Sequence, residues 1–92
     1  MADIDVRVKK EGAAYVAEVT VKDRAITAHR VRVSLADLDK YGGRDDVEGL
    51  VRRSFEFLVE REPNTSILRE FSLSTIERYF PEFPREIRRS AQ

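Results

Sequence analysis

The stretch "VEGLVRRSFEFLV", residues 47–59, decides how this chain must fold. Wound as an α-helix, Val47, Leu50, Val51, Phe55, Phe57, Leu58 and Val59 spread over about 200° of the circumference, with Ser54 inside the arc. A helix resting on one sheet needs an apolar stripe of only somewhat more than roughly 100°. Phe57 on one flank, and Phe55 and Val59 on the other, exceed that stripe, so a second layer has to cover them. Asp45 and Glu48 carry a capping spacing ahead of the stretch and Pro63 stops it, which predicts the main helix over roughly residues 46–62.

Upstream lies the sheet that this helix needs. Residues 3–9 alternate, with Ile4, Val6 and Val8 on one face and Asp3, Asp5, Arg7 and Lys9 on the other, the period of a half-buried strand. "KEGA" at 10–13 is a turn, and "YVAEVTV" then sets Tyr15, Ala17, Val19 and Val21 against Val16, Glu18 and Thr20. After "KDR" at 22–24 a third strand runs through "AITAHRVRV", with Val31 and Val33 against Arg30 and Arg32. Short turns between such strands predict a three-stranded antiparallel meander with one wet face. Ser34 and Asp37 have the spacing of a capping box for a short helix through "LADLDKY", and Gly42 and Gly43 stop it.

Downstream lies the cover. Asn64 to Ser66 can cap a helical turn through "ILREF", Ser72 or Ser74 the next one, and Pro84 can open a last one through "REIRR". Ser74 with Glu77 fits a capping box, and Phe71 with Ile76 a hydrophobic staple. This tail is expected to pack mainly on the main helix. The expected fold is therefore α+β: a three-stranded antiparallel β-meander packed on one long helix, with short C-terminal helices. It forms one domain over residues 1–92, with the meander at 1–33, both upstream helices at 34–63 and the helical tail at 64–92.

Composition narrows function by exclusion. The 92 residues hold 17 basic and 17 acidic groups and no cysteine, so thiol nucleophiles, disulfides and thiolate metal sites are out. One histidine cannot build an imidazole-rich zinc site. No cofactor is expected. The N-terminus has no apolar leader and no run approaches the roughly 18 residues of a membrane helix, so a cytoplasmic protein without membrane contact is expected.

Each chemistry-bearing cluster has a plainer explanation. His29 shares a face with Val31 and Val33, which makes it a partly covered strand-end histidine. Asp45, Asp46 and Glu48 belong to a helix start, where carboxylates complement the dipole. "YGGRDD" lacks phosphate-loop spacing. Arg30 and Arg32 could form a basic strip on the open sheet face. However, residues 1–33 carry seven basic and five acidic groups, only +2, and that face offers no aromatics for stacking. Cross-strand ion pairs explain the face as well.

Surplus apolar surface points elsewhere. Tyr79, Phe80 and Phe83 are the expected anchors of any protein contact, because aromatic side chains dominate interface energetics. A meander also leaves two unpaired edges. Strand one is guarded by its charges, while "AITAHRVRV" is long and β-branched, so a homodimer is expected either through that sheet edge or through the C-terminal tail.

The block "LVRRSFEFLVEREPNTSILREFSLSTIERYFPEF", preceded by the "YVAEVTV" hairpin, resembles a family of small prokaryotic proteins of unknown function, most clearly in "FEFLVEREP" and "IERYFPEF". That resemblance implies a soluble intracellular single domain and no particular reaction. "YVAEV" and the order of elements are also similar to the HicB-type antitoxin domain, where such a strand belongs to a three-stranded sheet followed by a helix. The small-residue and glycine segment those proteins carry after the second strand is missing here, and the aromatic tail is foreign to them. A likeness of fold does not carry function. The expected function is a non-enzymatic protein-interaction or regulatory module that associates with itself or a partner protein. The alternative is a nucleic-acid-associated regulator using Arg30 and Arg32.

Overall fold

A computed structural model describes residues 2–90. Three strands open the chain, β1 (Asp3–Glu11), β2 (Ala14–Lys22) and β3 (Ile26–Val33). The β1–β2 turn places Gly12 at φ +60°, a conformation that costs glycine little. Both pairings are antiparallel, with Val6 opposite Val19 and Val19 opposite His29. The period-two pattern holds on the inner face, where Val6, Ala17, Val19, Val21, Val31 and Val33 are all buried.

Ser34 caps α1 (Leu35–Tyr41) reciprocally: its hydroxyl accepts from the Asp37 amide and the Asp37 carboxylate accepts from its own, both at 3.0 Å. The chain then reverses at Gly43 (φ +102°), where a Cβ would lie 2.8 Å from that of Leu50. The main helix, α2 (Val47–Val59), starts from Asp46, whose carboxylate accepts from the Gly49 amide. It stops a turn before Pro63. The amides of Arg61 and Glu62 both turn back to the Leu58 carbonyl, and the Arg61 guanidinium donates to the Phe57 carbonyl. These bonds satisfy the last-turn acceptors and close the helix early.

The tail departs from expectation in one decisive respect. "ILREF" is not helical. After a 3₁₀ turn at Asn64–Ser66, the chain extends into β4 (Glu70–Ser72), which pairs parallel with β3 through Arg30–Glu70, Val31–Phe71 and Arg32–Ser72. The sheet is thus four-stranded and mixed, in the order β1-β2-β3-β4, rather than a three-stranded antiparallel meander. The reason is the open side of β3: the Arg30 amide donates to the Arg69 carbonyl at 2.7 Å and the Leu73 amide to the Arg32 carbonyl at 2.9 Å. Those ladder bonds outweigh a helical turn of five residues, which is marginal by itself.

Two short helices follow, α3 (Thr75–Tyr79) and α4 (Phe83–Ser90), the latter with Pro84 as its second residue. The Ser74–Glu77 box does not form, since Ser74 makes no side-chain cap. Glu77 is drawn instead to α1, where it accepts from the buried Tyr41 hydroxyl and pairs with Lys40 at 2.7 Å. The longest helix, α2, has 13 residues and lies on β1, while α4 packs on the other three helices, so four helices stand where one long helix was expected to dominate.

The broad apolar arc of α2 is covered as its width demands. On one flank Phe57 meets Phe83 at 5.1 Å and Phe80 at 5.8 Å between ring centres, under the Arg61 guanidinium. On the other, Phe55 meets Phe71 at 6.1 Å and the His29 ring at 5.3 Å. Among the described residues, no helix is long and apolar enough to cross a membrane.

Candidate functional site

The three aromatic anchors named from sequence separate. Phe83 is fully buried between Tyr41 and Phe57, so it is core and presents nothing to a partner. The reason is register within the tail: Phe83 is the first residue of α4, with Pro84 second, and that helix packs on α2 with Phe83 and Ile87 buried. Tyr79, by contrast, is 66% exposed, and Phe80 is half-buried against the edge of Phe57.

Tyr79 and Phe80 border a groove of about 280 Å³ at the C-terminal end of α2. Buried Leu58, Ile67 and Ile76 form its floor, and half-buried Phe71 its side. Leu68, 47% exposed, and the Glu62 carboxyl complete the rim. The groove exists because β4 diverts the chain along β3: after the 3₁₀ turn, residues 67–72 run beside the sheet, and α3 then closes the groove opposite α2. Burial raises the Glu62 carboxyl above its ordinary pKa, and among the described residues no ion pair offsets that desolvation. The site is an apolar trough with one ill-solvated acid at its lip. Sequence reasoning missed Leu68 and Glu62. The only signal for them was the odd-numbered apolar series Ile67, Phe71 and Leu73, which fits a strand and would have left Leu68 on the outside.

Neither a family model nor a curated protein nor a solved structure matches this chain. The functional reading therefore stands on its own residues.

His29 is 3% exposed and occupied. Its Nδ1 lies 2.8 Å from the Leu68 carbonyl, which can only accept, so Nδ1 carries the proton. Its Nε2 faces the Thr27 hydroxyl at 2.8 Å, and that hydroxyl also meets the Asn64 amide nitrogen at 3.1 Å. The same amide nitrogen lies 3.0 Å from the Ala25 carbonyl. The imidazole thus fastens residues 64–68 to β3 and holds the groove wall. This gives it a structural task that requires no reacting partner.

On the open sheet face Arg30 is engaged. It pairs with Glu18, its directly opposed neighbour on β2, at 3.0 Å and with Glu70 of β4 at 4.0 Å. Arg32 is exposed beside it. Two carboxylates so placed cancel much of the positive strip that a phosphate backbone would seek. Asp46 spends its carboxylate on a helix cap, and Glu48 reaches Arg52 at 3.4 Å.

The sheet edges also differ from expectation. β3 is not an edge along its C-terminal half, because β4 covers residues 30–32. The full-length open edge is β1, the strand that its charges had marked as guarded. Of its carbonyls, that of Ile4 accepts from the Arg52 guanidinium of α2.

Proposed function

We propose that this protein is a non-enzymatic protein-interaction module that works in association with itself and receives a partner segment in the groove at the end of α2. The groove carries the reading: its apolar floor is continuous with the core, yet Leu68 and Tyr79 stand exposed beside it. Exposed apolar groups that adjoin a concave apolar floor are what a protein contact uses. The occupant follows from charge. Glu62 is half-buried on the groove rim with no ion pair among the described residues, so the fitting segment presents an apolar side chain to Phe71 and Phe80 and a lysine or arginine to Glu62.

The test is selection of displayed random peptides on the full chain, followed by fluorescence titration of the winners. Enrichment of an apolar residue beside a basic one, with at least tenfold weaker binding to Leu68→Asp and Glu62→Gln, is the expected result. No enrichment, or equal binding to both variants, overturns the groove reading. Self-association is tested by the mass of the wild-type chain in sedimentation.

A further inference from the structure

The open edge of β1 carries five exposed charges on its wet face: Asp3, Asp5, Arg7 and Lys9 in that order, then Glu11 at the strand end. Among the described residues none of the first four forms an ion pair within the chain. Asp5 and Lys9 stand opposite uncharged Thr20 and Val16 on β2. Their order is a palindrome of opposite sign about Val6.

We infer that β1 is the self-association surface, pairing antiparallel with β1 of a second copy about a two-fold axis through Val6, so that the two four-stranded sheets become one of eight strands. The inference rests on the self-association part of the reading above and gives it a surface and a register. About that axis Asp3 faces Lys9 of the second copy, and Asp5 faces its Arg7, each twice by symmetry. On the inner face Val6 meets Val6, and half-buried Ile4 meets half-buried Val8, so apolar groups left partly open in one chain are covered.

Neighbouring registers fail. Sliding two residues one way sets Asp5 against Asp5; sliding the other way sets Arg7 against Arg7 and Asp3 against Glu11. A slide of one residue opposes apolar to charged positions and inverts the second sheet. Only the register centred on Val6 places every facing pair at opposite sign, where like charges directly opposed are destabilising. The Arg52 bond at the Ile4 carbonyl is compatible, because a carbonyl oxygen accepts two donors.

The experiment is a charge exchange in the full chain, read by sedimentation equilibrium. Asp3→Lys with Asp5→Lys makes positions 3, 5, 7 and 9 all basic; Arg7→Glu with Lys9→Glu makes the same four all acidic. Each double variant is expected to dimerise about tenfold or more weaker than wild type, since attraction becomes repulsion at every facing pair. Their equimolar mixture is expected to restore a one-to-one dimer. Arg7→Glu also faces Glu18 of its own β2, so thermal melting checks the fold. Should that variant unfold, the single substitutions Asp3→Lys and Lys9→Glu repeat the exchange at the strand ends. A dimeric wild type whose variants all remain dimeric overturns the edge and leaves self-association standing. A wild type that is monomeric at every concentration overturns both.

Discussion

Replacing Phe57 by alanine is the sharpest test of the claim that the tail is core. Phe57 is 6% exposed and holds three contacts that no other side chain of α2 duplicates: Phe83, Phe80 and the Arg61 guanidinium, the last 3.5 Å from its ring centre. Alanine removes the ring, and the cavity cannot collapse easily because Phe83 is pinned by Tyr41 and by the start of α4. Such truncations cost about 3–5 kcal/mol. At about 0.05–0.15 kcal/mol per residue, a chain of 92 residues has about 5–14 kcal/mol in all. The variant therefore loses from about a fifth to all of its stability. In urea unfolding with a slope of about 1 kcal/mol per molar, the midpoint falls by about 3 M or the protein is unfolded at the start. A slope that drops as well means that the tail has already left the native state. A loss below about 1 kcal/mol with the slope unchanged would show that Phe83 and Phe80 do not depend on Phe57, and the covering argument fails.

Ending the chain after Pro63 removes β4 and, among the described residues, five buried apolar side chains of the tail, including Leu73 and Ile87, so cooperative melting by circular dichroism is expected to vanish. Lys40 first, then Tyr41, holds the Glu77 carboxyl below its ordinary value of 4.5, so its contribution is present above that pH and is lost as the pH falls through the folded value. Melting temperature against pH should thus fall on the acid side, and Glu77→Gln should flatten that limb; an unchanged limb refutes the role. Titration of single-stranded RNA and duplex DNA at two salt concentrations is expected to show no binding that weakens steeply with salt, because Glu18 and Glu70 occupy Arg30. Steep salt dependence that Arg32→Ala abolishes would revive the nucleic-acid reading.

The parts legible in the sequence were those set by local physics. The two hairpins, the reciprocal cap of α1 and the excess width of the α2 apolar arc all follow from neighbours within a few residues. β4 was illegible because Ile67 and Phe71 are four apart, a helical spacing, while the same residues with Leu73 are also spaced as a strand. What decided between them was the unsatisfied side of β3, 39 residues upstream of the Arg69 carbonyl that fills it. The buried state of Phe83 was hidden for a related reason: adjacency to Tyr79 and Phe80 says nothing about which of them the next helix carries inward.

One segment, residues 64–80, performs three tasks at once. It completes the sheet, it receives His29 and it builds the groove. These tasks share side chains, so a substitution at Phe71 or Ile76 would weaken the fold and the groove together, and lost binding would then say nothing about recognition. Leu68 and Tyr79 escape the coupling, since their side chains are largely exposed and only the Leu68 backbone is bonded to His29. Changes at these two positions should therefore alter binding while melting stays within about 0.5 kcal/mol of wild type. The same segment also settles where the sheet can grow. By closing the C-terminal half of β3 it leaves β4 with three residues of edge and β1 with nine. Strand addition needs a run of unpaired backbone longer than three residues to hold register, so a partner sheet has one side on which to dock. On that side the proposed register would set Asp3 and Asp5 against Lys9 and Arg7 of a second copy.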